Sequence, residues 1–131
     1  MLENGPGNSE SIGGLEALMR TLEQRRHGKF KYPEGQIYQF ELVDEVGVEA
    51  SYPELGIGDY RYLLQHLVGS DGAEMIRATY YRKAPGKTKI YFAGQTALTA
   101  ERKYWVALPA EALKRPWFKS LIHEASNLAK T

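Results

Sequence analysis

From Ile76 to Phe92 the apolar side chains fall on every second residue, Ile76, Ala78 and Tyr80 before a Pro85-Gly86 break and Ile90 and Phe92 after it. Period two is the spacing of a strand with one covered face, because successive side chains leave a pleated backbone on opposite sides. A helix would scatter these positions around its circumference, so the stretch commits the fold to antiparallel sheet joined by a short turn. Ala84-Pro85-Gly86-Lys87 suits a type II turn, with proline fixing φ at its second position and glycine taking the left-handed third. A glycine bulge after that turn sets the expected register, Tyr80 opposite Ile90 and Ala78 opposite Phe92, which pairs apolar with apolar.

The same reading extends to both sides. Tyr38, Phe40 and Leu42 alternate with Gln39, Glu41 and Val43, and Val46, Val48 and Ala50 alternate with Gly47, Glu49 and Ser51, which predicts two strands joined by a hairpin around Asp44 and Glu45. Tyr104, Val106 and Leu108 alternate with Lys103, Trp105 and Ala107 and predict a further strand. Elsewhere the spacing is helical. Leu15, Leu18, Met19 and Leu22 recur at steps of three and four before the stop signals Arg25, Arg26, His27 and Gly28. Asp59 is placed to cap a short helix with an apolar face of Tyr60, Leu63, Leu64 and Leu67, ended by Gly69. Pro109 begins a helical turn through Leu113, and Pro116 opens a last helix whose stripe is Trp117, Phe118, Leu121, Ile122, Ala125 and Leu128. The Gly-, Ser- and Asn-rich stretch 1–14 reads as a flexible arm. The expected architecture is a single α+β domain over 15–131: an antiparallel sheet of about five strands with an N-terminal helix, a short middle helix and a C-terminal helix packed on one face.

Its 131 residues suffice for one core without covalent staples. The chain has no cysteine, which excludes disulfides, thiol catalysis and Cys-ligated metals and fits a reducing compartment. No apolar run approaches the roughly 20 residues of a membrane span, so the expectation is a soluble cytoplasmic protein without membrane contact.

A formal net charge of +1 conceals a sorting of charge along the chain. Glu34 to Glu74 hold nine acidic residues against one basic, whereas Met75 to Thr131 hold eleven basic against three acidic. Such asymmetry speaks to partners rather than to fold. With Ile76, Ala78, Tyr80, Ile90, Phe92, Tyr104 and Val106 inward, the strand alternation sends Arg77, Thr79, Tyr81, Lys89, Tyr91, Lys103 and Trp105 to one outer face, with Arg82, Lys83 and Lys87 around the turn. Cations that displace counterions and rings that stack on bases are what nucleic-acid binding requires. The same residue types also make an ordinary polar outer face for a one-sided sheet. The leading expectation is a non-catalytic module that binds an anionic partner, nucleic acid first. The alternative is protein recognition, as a homodimer or as an adaptor or inhibitor that uses the segregated charges.

The reading leans against catalysis. His27, His66 and His123 fall in separate predicted elements, and no Gly-x-Ser-x-Gly or His-Glu-x-x-His spacing occurs. Gly86-Lys87-Thr88 lacks the earlier glycine of a phosphate loop and belongs to a hairpin. The acidic stretch lacks calcium-loop spacing, so no metal and no cofactor is expected.

Overall fold

The computed structural model describes residues 2–3, 27–87, 89–93 and 97–131. The helix expected from Leu15 lies outside these residues, as does the N-terminal arm apart from Leu2 and Glu3. Among the described residues, six strands, β1 (Leu2–Glu3), β2 (His27–Lys31), β3 (Ile37–Ser51), β4 (Asp59–Gly69), β5 (Glu74–Lys83) and β6 (Lys89–Phe92), precede two helices, α1 (Arg102–Ala112) and α2 (Pro116–Ala129). The strands form one antiparallel sheet in the order β1-β6-β5-β4-β3-β2. No helix among the described residues is long and apolar enough to cross a membrane.

The sheet is curled and both its faces are buried. On the inner face, the Arg77 guanidinium of β5 lies 5.5 Å from the Phe30 ring of β2, 5.0 Å from Phe40 of β3 and 5.0 Å from Phe92 of β6. In a flat sheet β2 and β5 would stand three strand spacings of about 4.8 Å apart, beyond such contact. Leu63, Tyr81 and Ile90 form one cluster on this face, and Phe40, Leu42 and Leu67 another. The opposite face carries the helices: Val46, Ala50, Tyr62 and Leu64 pack against Leu108 and Ala112 of α1 and Phe118 of α2.

Several sequence expectations are corrected. Asp44 and Glu45 are not a hairpin: β3 runs unbroken for 15 residues and shifts register between Leu42 and Asp44. The apolar residues keep the same parity on both sides of this bulge, yet Phe40 and Leu42 serve the inner core and Val46 and Ala50 the helix-side core. One extra residue exchanges the faces. The expected middle helix is β4. Being central and covered on both sides, it needs apolar residues in both directions, Leu63 and Leu67 inward, Tyr62 and Leu64 toward the helices, and such a run mimics helical spacing.

The β5–β6 register pairs Tyr81 with Phe92 and Lys83 with Ile90, three residues away from the expected pairing. An odd shift flips faces, so Tyr81 joins the inner core and is fully buried. The turn itself is as expected, with Lys87 N–H donating to Ala84 O at 3.1 Å and Gly86 at φ +68°. The strand expected over Lys103–Leu108 is instead the body of α1. Tyr104, Leu108 and Ala112, four residues apart, form its packed side, and burial of that stripe overrides the strand propensity of Tyr, Trp and Val. Pro109, expected to open a helical turn, lies inside this helix. Finally, α2 begins at Pro116 as expected, but only its first turn docks: Phe118 is buried, while Leu121, Ile122 and Leu128 are exposed.

Candidate binding cleft

Three aromatic rows converge where β4 and β5 meet the 52–58 loop. Tyr62 lies opposite Tyr80, Tyr60 opposite Arg82, and Arg82 opposite Tyr91, all on the helix side of the sheet. Tyr60 and Tyr80 have ring centroids 5.5 Å apart, Tyr60 and Tyr62 5.8 Å, and Tyr62 and Tyr104 of α1 5.1 Å. Tyr52 meets Tyr60 edge to face at 5.8 Å. Tyr52, Ile57, Tyr60, Tyr62, Tyr80, Ala97 and Thr99 line a cleft of about 400 Å³, within the usual range for small-molecule and cofactor sites.

The walls are held by identifiable contacts. Arg82 sends Nε and Nη2 to Ile57 O at 3.2 and 2.9 Å while its guanidinium lies 5.8 Å from the Tyr60 ring, so one side chain ties the loop to β5 and presents a cation to the ring. Ser51 Oγ donates to Asp59 Oδ1 at 2.8 Å across the loop base. Gly58 closes the loop at φ +97°, and a Cβ there would stand 2.3 Å from Lys83 O, a backbone atom that cannot give way. Deeper in, the Tyr52 and Tyr62 hydroxyls are 2.8 Å apart. Burial, reinforced by that hydrogen bond, pushes the Tyr62 phenol well above its ordinary value, and burial also raises Tyr52. Both therefore stay neutral hydroxyls through physiological pH.

The residues expected to share a basic-aromatic face are divided. Arg77, Thr79 and Tyr81 belong to the inner face, where Gln65 Nε2 donates to Glu45 Oε1 at 2.6 Å and Arg77 Nε donates to Gln65 Oε1 at 2.8 Å. This chain from an acidic strand to a basic one sits among phenylalanines, and its partners are structural. The Thr79 hydroxyl donates to Ala93 O. Arg82, Lys89 and Tyr91 project to the cleft side, with Lys83 and Lys87 at the adjoining hairpin tip. Lys103 and Trp105 come from α1 instead of a strand; Lys103 Nζ lies 5.2 Å from the Tyr104 ring, and Trp105 is partly exposed.

Acidic and basic halves do meet within the molecule, where Arg115 Nη1 pairs with Asp44 Oδ1 at 3.6 Å; Arg61, the one cation of the acidic half, pairs within that half with Glu49 Oε2 at 2.6 Å. No ion pair among the described residues engages Lys83, Lys87, Lys89 or Lys103. Sequence reasoning missed Tyr52, Tyr60, Tyr62 and Tyr104, because Tyr60 was assigned to a helix face and Tyr104 to the core side of a strand. The high tyrosine count, nine in 131 residues, was the available signal. No protein-family profile, curated protein or solved structure matches the chain.

Proposed function

We propose that the chain is a non-catalytic binding module for an anionic, ring-bearing ligand, with single-stranded nucleic acid as the partner its residues suit best. The observation that supports this is the row Tyr60–Arg82–Tyr91 at the mouth of a tyrosine-lined cleft, next to a hairpin with Lys83, Lys87 and Lys89. An unpaired base offers a flat π-face to Tyr60, Tyr80 and Tyr91, and each stacked base contributes about 1 to 3 kcal/mol. The hairpin lysines then follow the phosphates and release counterions. Duplex is disfavoured because its bases are stacked on one another and cannot enter the cleft. Arg77 and Tyr81 leave the ligand set, and Arg82, Lys83, Lys87, Lys89, Tyr91 and Lys103 stay in it.

Fluorescence anisotropy of labelled single-stranded and duplex oligonucleotides across a salt series tests the reading. The single strand is expected to bind more tightly, with affinity falling linearly in log–log salt, and Lys87→Glu with Lys89→Glu reduces both affinity and slope. Absence of binding at low salt refutes it. Protein recognition is the second reading, because α2 leaves Leu121, Ile122 and Leu128 in solvent.

A further inference from the structure

We infer that the tyrosine cleft takes one everted base of a single strand and that the Tyr52–Tyr62 hydroxyl pair reads the hydrogen-bonding edge of that base. This deepens the single-strand reading and depends on it, since it assigns a selectivity to the same site.

The cleft has room for a single unit. Its volume of about 400 Å³ suits one small-molecule-sized group. Tyr60 and Tyr80, on neighbouring strands with ring centroids 5.5 Å apart, give it an aromatic wall. A base that enters must leave the stack of its neighbours, which is least costly in a strand that is already single. Arg82 holds its charge at the mouth, against Ile57 O and over the Tyr60 ring. The phosphate of the entering nucleotide therefore stays at the rim while its base goes inward.

What the base meets inside is a pair of phenols. Tyr52 and Tyr62 both line the cleft, and their hydroxyls are 2.8 Å apart. Each phenol carries one proton and acceptor lone pairs. The mutual bond uses one proton, so the pair keeps a second O–H to donate beside lone pairs that accept. A base edge is the complement, because its carbonyl or ring-nitrogen acceptors adjoin N–H donors. Tyr104 packs on both rings from α1, with centroids 5.1 Å from Tyr62 and 6.5 Å from Tyr52, and so holds the hydroxyls in place. Burial pushes both phenols up from their ordinary value, which keeps their protons available to donate.

An entering ring displaces water from the half-buried Tyr52. A base edge replaces the hydrogen bonds that are lost. A ring of the same shape without a polar edge leaves the hydroxyls desolvated and unpaired, and the cleft rejects it. Stacking on Tyr60 and Tyr80 would not, because both rings present a π-face.

The probes are strands of abasic residues that carry at their centre one thymine, one difluorotoluene of the same shape with fluorine for the carbonyl oxygens, or no base. A lone base removes the choice of register that an ordinary strand allows. Thymine is expected to bind about tenfold more tightly than its apolar isostere, and the isostere no better than about threefold above the baseless strand. Tyr52→Phe is expected to bring thymine down to the level of the isostere, whereas Lys87→Glu lowers both by the same factor and keeps their ratio. The urea midpoint of Tyr52→Phe shows that the variant is folded; if it is not, the thymine-to-isostere ratio of the unaltered protein decides. Equal binding of thymine and isostere, or an undiminished preference in folded Tyr52→Phe, overturns the inference while ordinary single strands still bind. Absence of binding by ordinary single strands at low salt overturns the proposed function and this inference together.

Discussion

Neighbouring residues of β5 have opposite fates. Arg77, Thr79 and Tyr81 turn to the inner face, where Arg77 is enclosed by three phenylalanine rings and bonded to Gln65, and Tyr81 is fully buried. Tyr80 and Arg82 turn to the other face, where Tyr80 lines an open cleft and Arg82 braces its rim. Arginine and tyrosine occur on both sides, and nothing in the side chains distinguishes the pairs. Only strand parity and register do, so an identical composition becomes scaffold on one side and ligand-accessible surface on the other.

Substitutions on the two faces should therefore separate stability from binding. The largest effect is expected at the inner face: Leu63→Ala, at a fully buried site of the central strand, should cost about 2 to 5 kcal/mol by lost transfer energy and a residual cavity, read as a lowered urea midpoint. Arg77→Met should cost about 1 to 3 kcal/mol because it leaves the buried Gln65 Oε1 without its Arg77 donor, yet the folded fraction should bind oligonucleotide unchanged. If Arg77→Met abolished binding in folded protein, the division into scaffold and cleft would be wrong. Arg82→Met reverses the pattern. It should lower affinity about tenfold or more through loss of the Ile57 tether and the cation on Tyr60, with a stability cost of only about 0.5 to 1.5 kcal/mol.

Alkaline titration sharpens the same contrast. Tyr52 and Tyr62 are raised, so their contribution to stability is complete below an ordinary phenol value of 10.0 and is lost as pH rises through their higher folded values. Phenolate absorbance should show these two ionising only as the protein unfolds. The smallest effect concerns the exposed contact between the Tyr38 hydroxyl and Asp71 at the β4–β5 turn. The hydrogen bond to Asp71 pushes Tyr38 up to about 12 and holds Asp71 below its ordinary value. Its contribution is thus present between about pH 4 and 10, fades as pH falls through the lowered Asp71 value, and fades again as pH rises toward 12. Asp71→Asn should return the Tyr38 ring resonance, followed by NMR, to ordinary titration.

Much of the local structure was legible. The β5 strand, the Pro85-Gly86 turn, the first strand at Tyr38–Leu42 and the start of α2 at Pro116 rest on periodicity and on residues with restricted φ, which act within a few positions. Errors arose wherever a distant partner decided. β4 looked helical because both of its faces are covered, and Lys103–Leu108 looked extended although the sheet buries Tyr104, Leu108 and Ala112 as a helical stripe. Of the candidate ligand residues, the hairpin cations were readable from composition. The tyrosine cleft was not, since its members come from the 52–58 loop, β4, β5 and α1.

By itself the sequence determined that this chain builds an antiparallel sheet with a basic second half and an excess of tyrosine, because alternation, turn chemistry and charge are local properties. Tertiary structure alone decided which face each residue serves. A single bulge after Leu42 and a three-residue difference in the β5–β6 register each exchange the two faces, and the energy that selects them comes from burial against strands and helices far away in the chain.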